Sequence, residues 1–318
     1  MSTSATRESR RRRLLMIASQ AVNHGPSFTE IRALVARQAP DIDCLIVDDR
    51  RWHARRWAFA TLPTLVFSPL PLRKFRPVRG RVFAGQILPK SEEYQALDAA
   101  GIPVPRWGLL GPDITPDLSD FPDYVVTKPD RGWRGANVKI KRRGRVRYKP
   151  PPNGEEVESP YTLVQEFIYT GRWPVSYRVT SLFGQVIHCW RVEADQSRRP
   201  LTSPDAFAGG ETGGGMSIVS SARNSVFTLC DDPEIIKFGT DAHRAFPDIP
   251  LLGVDVVRDA VTGRLYVLEV NASGYVWHLD SETGRGIQQD HKLDFRKQFG
   301  AIERAAEALV AQTRANAG

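Results

Sequence analysis

Long apolar runs are missing from this 318-residue chain, and with them the stretch of about 18 consecutive apolar residues that a membrane-spanning helix requires. Cysteine is scarce. Cys44, Cys189 and Cys230 stand far apart, so no disulfide framework and no zinc-type spacing is visible. The opening R-E-S-R-R-R-R-L-L-M-I-A-S has a basic head, but its apolar run is too short for a secretory signal and lacks a clean cleavage site. A cytoplasmic protein is expected. Acidic residues are absent altogether from Arg50 to Arg81, where nine basic residues fall, and Asp130 alone opposes ten basic residues between Lys128 and Lys149. With a net charge of +8, these segments point to a polyanionic partner or, for the first of them, to an Arg-rich solvated surface.

What is present has the rhythm of a mixed α/β chain. Leu14–Ser19, Cys44–Val47, Leu65–Phe67 and Val82–Gln86 read as strands, with an amphipathic helix at Phe28–Gln38. A second helix follows Lys90, with Ser91 as its expected N-cap and Gly101 as its stop. Strands are expected at Tyr124–Thr127, Val138–Ile140 and Thr162–Ile168, then a hairpin of Ser176–Phe183 and Gln185–Val192 across Gly184. Asp195–Gly215 reads as flexible, Asp231–Phe246 as a helix capped by Asp231 or Asp232, and Phe299–Thr313 as a closing Ala-rich helix. No internal repeat is visible.

The chemistry concentrates in the hairpin of Leu251–Val257 and Leu265–Val270. Pairing Val257 with Leu265 sets Asp255 opposite Val267, diagonal to Glu269, and strand parity turns Asp255, Glu269 and Asn271 to one face. Three hard oxygen donors on one face suit Mg²⁺; pairing with Arg258 or Arg264 at a sheet edge is the alternative. Upstream, Y-V-V-T-K-P-D-R-G-W-R-G delivers Lys128 on a strand and then opens a loop at Gly132 and Gly135, where backbone N–H groups can approach phosphates. L-V-Q-E-F-I follows, with strand-end groups that an adenine edge could meet. Arg178 and Arg191 sit on the two arms of the next hairpin, either reaching a phosphate or lying on the surface.

Taken in order, Lys90, the Lys128-Pro129 loop, Gln165–Ile168, the two arginines, G-V-D and E-V-N-A-S resemble the ATP-grasp superfamily over residues 88 to 280, and most of all its glutathione-synthetase and α-L-glutamate-ligase-like branch. The resemblance implies an α/β (α+β) fold in which two α+β subdomains clasp ATP, preceded by a small α/β domain. Its divisions would be 1–88 for the preceding domain and 89–318 for the ATP-grasp domain, with a lid at about 119–168 and a catalytic subdomain at about 169–318. It implies that Lys90, Lys128, Gly132, Gly135, Gln165, Glu166, Phe167 and Ile168 bind ATP, with backbone contacts from Glu166 and Ile168. Arg178 and Arg191 would meet the phosphates and an acyl phosphate. Asp255, Glu269 and Asn271 would hold Mg²⁺, two ions with Glu269 bridging, or Mn²⁺ in their place.

The activity implied is ADP-forming carboxylate–amine ligation through an acyl phosphate. The alternatives are phosphoryl transfer without an amine acceptor, or a non-catalytic nucleotide- or polyanion-binding role. Expected partners are ATP, a small-molecule or peptide carboxylate and amine, an acidic carrier protein or peptide for the basic 50–81 segment, and a second copy of the chain in a homo-oligomer. Nucleic acid is not expected, because the Lys128–Lys149 run coincides with the lid. Two departures stand out. W-P-V-S-Y-R lacks the acidic residue usual before the arginine, with Ser176 as its replacement, and Gly274-Tyr275 stands where relatives have Pro-Gly. Trp277 and His278 then line the acceptor site or pack as core.

Overall fold

In a computed structural model, residues 11–20, 22–48, 61–72, 76–132, 137–150, 159–195 and 225–318 are described. Gly135, most of the expected flexible stretch 195–215 and much of the basic 50–81 segment lie outside them. The described residues form three sheets. In the first, β2 (Ile42–Asp48), β1 (Arg12–Ala18), β3 (Thr64–Ser68) and β4 (Gly80–Ala84) run parallel in that order. Leu14, Leu15 and Met16 are all fully buried, as befits a parallel strand covered on both faces. Helix α1 (Gly25–Gln38) opens on Pro26, whose fixed φ suits a first turn.

The second sheet is antiparallel, ordered β5 (Trp107–Leu110), β8 (Thr162–Glu166), β6 (Tyr124–Pro129), β7 (Lys139–Arg142). Helix α2 (Lys90–Ala99) leads into it. Its N-cap is Pro89 rather than Ser91, because the free N–H groups are satisfied from elsewhere: Lys90 donates to the Asp130 carbonyl at 2.9 Å and Ser91 to Asp130 Oδ1 at 2.9 Å. The lone acid of the basic run is thus a buried helix cap.

The third sheet is also antiparallel, ordered β11 (Ser225–Leu229), β10 (Gln185–Ala194), β9 (Val175–Leu182), β12 (Leu251–Arg258), β13 (Leu265–Asn271). Phe183 and Gly184 join β9 to β10 with φ of 48° and 79°, the left-handed pair a two-residue hairpin needs. Helix α3 (Pro233–Asp241) lies on one face, capped by Asp232, whose Oδ1 accepts from Glu234 N at 2.9 Å. It ends at Asp241, and a short 3-10 turn completes the expected helix. Strands β5 and β11 and helix α4 (Glu282–His291) have no counterpart among the expected elements. After the short α5 (Phe295–Gln298), α6 (Ala301–Asn316) packs on both α1 and β10, so the first sheet and the third share one core. Among the described residues no helix is long and apolar enough to cross a membrane.

Candidate nucleotide and metal site

Two β-bulges decide which side chains meet. Arg258 pairs with Leu265, one position out from the expected register, which by itself would set Asp255 against Leu268. An extra residue in β13 between Val267 and Glu269 restores the parity: Val256 pairs with Val267, and Asp255 then faces Glu269 directly. Gly253 pairs with Asn271, so Asp255, Glu269 and Asn271 do share a face, although Asp255 is opposite Glu269 and not Val267. Asn271 Nδ2 donates to Asp255 Oδ2 at 3.4 Å. Arg178, opposite Asp255 on β9, grips both carboxylate oxygens, Nε to Oδ1 and Nη2 to Oδ2 at 2.7 Å each. Burial raises the Asp255 pKa against the pull of Arg178.

The bulge residue Leu268 turns its carbonyl toward two buried side chains. Lys128 Nζ donates to it at 2.7 Å, and the Tyr94 hydroxyl stands 2.9 Å away. Tyr94 also lies 2.8 Å from Gln165 Oε1, and Lys128 sits over its ring at 4.9 Å. Lys90 Nζ is 3.3 Å from Glu269 Oε1 and donates to the Gly132 carbonyl at 2.7 Å, linking the backbone at Gly132 to β13. Glu93, one turn along α2, accepts from Val270 N at 3.1 Å. Burial, and then the charge of Glu269, push its carboxyl up to about 8. Burial brings Lys128 down to about 8, with Glu269 opposing. Neither Glu93 nor Tyr94 was among the expected site residues. The E-E-Y run after Lys90 reads as an ordinary helix, and only its placement against β13 distinguishes them.

Two facing carboxylates and an adjacent carboxamide are a donor set of the hard-oxygen kind that Mg²⁺ takes. Asp255 Oδ1 keeps a lone pair beyond its bond to Arg178, while Oδ2 accepts from both Arg178 and the Asn271 amide. Among the described residues no group of three or more His, Cys, Asp or Glu gathers as a metal site; the third donor here is an amide.

No protein-family model matches the chain, and no curated protein sequence does. Solved structures do. The D-cycloserine synthetase DcsG matches with a TM-score of 0.52 at 16% identity over 95% of this chain and 99% of that one. The ATP-grasp ligase PsnB with precursor peptide PsnA2 and AMPPNP matches with 0.53 at 17% identity, covering 95% and 98%. PsnB with minimal precursor, Mg and ADP gives 0.52 at 16%, covering 94% and 97%. The chain has the ATP-grasp fold.

On this ATP-grasp frame the other expected residues separate. The second bulge lies in β10: Val186 pairs with Ser181 but His188 with Thr180, so Arg178 faces Trp190 and Arg191 faces Tyr177. Arg191 therefore points to the face opposite Asp255, Glu269 and Asn271, where it bonds Glu193 at 2.6 Å. Gln165 is buried against Tyr94, and Phe167 packs beside Tyr124. The Glu166 N–H donates to the Arg106 carbonyl at 2.9 Å and its carboxylate meets Arg106 Nε at 2.8 Å, which leaves that N–H engaged at the sheet edge. Ile168 lies two residues beyond the end of β8 and is half-buried. Lys139 and Lys141 pair with Thr127 and Val125, so they stand on the far face of the second sheet from Lys128. The basic run thus divides between two faces instead of converging on the face of Lys128. Trp277 is core, donating to Ser27 Oγ at 2.9 Å, and His278 is buried beside it; Tyr275 is the residue of that loop that projects, 64% exposed.

Proposed function

We propose that the protein is an ATP- and Mg²⁺-dependent carboxylate–amine ligase that forms ADP by way of an acyl phosphate. The observation that carries this reading is Asp255 facing Glu269, with Asn271 beside them and Lys90 and Lys128 converging on the same strand. The likeness of fold to DcsG and to PsnB supports it. The proposed divisions are 1–88 for the preceding domain, a lid at about 119–168 and a catalytic part at about 169–318. Lys90 and Lys128 balance triphosphate charge, and the backbone at Gly132 approaches it closely. Asp255, Glu269 and Asn271 would hold one or two divalent cations, whose charge would offset the negative charge that develops in transfer. Arg178 faces that charge from β9 and orients Asp255 through its two hydrogen bonds. The buried lysines and Tyr94 exclude water that would hydrolyse an acyl phosphate. A peptide carboxylate or amine, an acidic carrier, a cytoplasmic setting and a homo-oligomer remain part of the proposal.

The test begins with heat. ATP with Mg²⁺ at about 100 times its Kd should stabilise the fold by about 2.7 kcal/mol, and Glu269→Ala should abolish the shift. No shift in the wild type would remove the nucleotide assignment. ADP release that depends on adding both a carboxylate and an amine selects the ligase, whereas a phosphorylated product formed without amine selects phosphoryl transfer.

A further inference from the structure

Two of the three cysteines, far apart in sequence, meet in the fold. Trp190 of β10 pairs with Leu229 of β11, and one step on, Cys189 stands opposite Cys230. Cys230 N donates to the Cys189 carbonyl at 3.0 Å, and the two thiols are hydrogen-bonded to each other. The two sulfurs thus stand within hydrogen-bonding reach of each other, the approach that an S–S bond requires. One side chain fixes the backbone of both: Gln298 Oε1 accepts from Cys189 N at 2.9 Å, and its Nε2 donates to the carbonyls of Cys189 at 2.9 Å and Cys230 at 2.8 Å. We propose that Cys189 and Cys230 form a dithiol modification site, which hydrogen peroxide oxidises to a reversible intramolecular disulfide.

The two thiols differ in the way such a reaction needs. Cys230 lies two residues before the N-cap of α3, and the Asp232 N–H donates to its sulfur. The Cys189 S–H first, and then that N–H, draw Cys230 down to about 7, against burial and the charges of Asp231 and Asp232. Cys189 is fully buried and pushed upward by its bond to Cys230 and by burial, while Cys230 retains 6% exposure just past the end of β11, the edge strand of its sheet. Cys230 is therefore the attacking thiolate and Cys189 the resolving thiol. The Cys230 sulfur attacks one peroxide oxygen, the O–O bond breaks, and hydroxide leaves to become water. The Cys189 sulfur then attacks the resulting sulfenic acid; the S–O bond breaks and the oxygen departs as a second water. Two thiols lose two electrons and two protons in all, and the peroxide takes up both. Cys44, which burial pushes up to about 12, serves as the internal control.

The experiment uses the full chain, reduced and then titrated with hydrogen peroxide. Free thiols are counted in denaturant and the linked peptides mapped without reduction. Two of the three thiols should disappear together, the Cys189 and Cys230 peptides should appear joined, Cys44 should stay free, and dithiothreitol should restore the count. In Cys189→Ser, Cys230 should accumulate as a sulfenic acid that dimedone traps. Equal consumption of all three thiols, disulfide-linked dimers, or wild-type Cys230 passing to sulfinic acid with no linked peptide would each overturn the proposal.

Discussion

The Arg178–Asp255 pair permits a quantitative test of how the face shared by Asp255, Glu269 and Asn271 is held. Arg178→Met removes both bonds to a carboxylate whose side chain is only 10% exposed, leaving it the weak 3.4 Å contact from Asn271. Removing one member of a buried pair strands the other charge and costs about 3–5 kcal/mol. Asp255→Asn should cost less, roughly 2 kcal/mol, because Glu269 remains near enough to act on the guanidinium. The double variant strands no carboxylate, so its loss should fall short of the sum by about 2 kcal/mol. Urea unfolding at pH 7, followed by tryptophan fluorescence and far-ultraviolet circular dichroism, measures all four proteins. Mg²⁺ added without nucleotide should return part of the stability lost by Arg178→Met and little to the double variant, since only the former presents an uncompensated carboxylate. Additivity within about 0.5 kcal/mol would refute the argument, by showing that each group finds other partners once its mate is gone.

Acid should destabilise the fold through His24. Its Nδ1 accepts from Ser19 N at 3.3 Å and its Nε2 meets the Gly274 carbonyl at 3.4 Å, and burial lowers its pKa to about 4. From pH 6.5 down to about 4 the unfolded chain binds a proton that the folded one refuses, so stability is lost as pH falls; between pH 7 and pH 5 the wild type should lose about 2 kcal/mol more than His24→Gln. An equal loss in both, measured by urea unfolding at the two pH values, would exclude His24 as the source. Gly239→Ala on α3 would drive a Cβ to 2.5 Å from Val179 Cβ in the core, and a loss of about 1–3 kcal/mol should appear in the thermal melt.

Much of this fold was legible because apolar runs and turn residues keep their period: every expected strand of the first sheet is present, with ends moved by a residue or two. Strand β11 was not legible, since S-V-F-T-L on a sheet edge is only partly buried and carries little pattern. In the site, parity found Asp255, Glu269 and Asn271 but not the route to them, because a bulge leaves no mark in a run such as Y-V-L-E-V. A second bulge likewise hid the face on which Arg191 lies. Around the two-residue Phe183-Gly184 turn an unbroken ladder would set Arg178 and Arg191 on one face, and the extra residue at Ile187 separates them. The lone Asp130 was noticed as an exception to the charge pattern, yet its role in capping α2 depends on a contact across 39 residues.

The bulge at Leu268 also makes the sheet self-checking. Its carbonyl is off the regular ladder, and the Lys128 ammonium anchors on it. If β13 assembled one residue out of step, Glu269 would turn into the apolar layer and a regular ladder would claim the carbonyl that holds Lys128. A mispaired molecule would thus lose the shared face of Asp255, Glu269 and Asn271 and its lysine anchor together, so the Lys128 contact forms only when the strands have found the right neighbours.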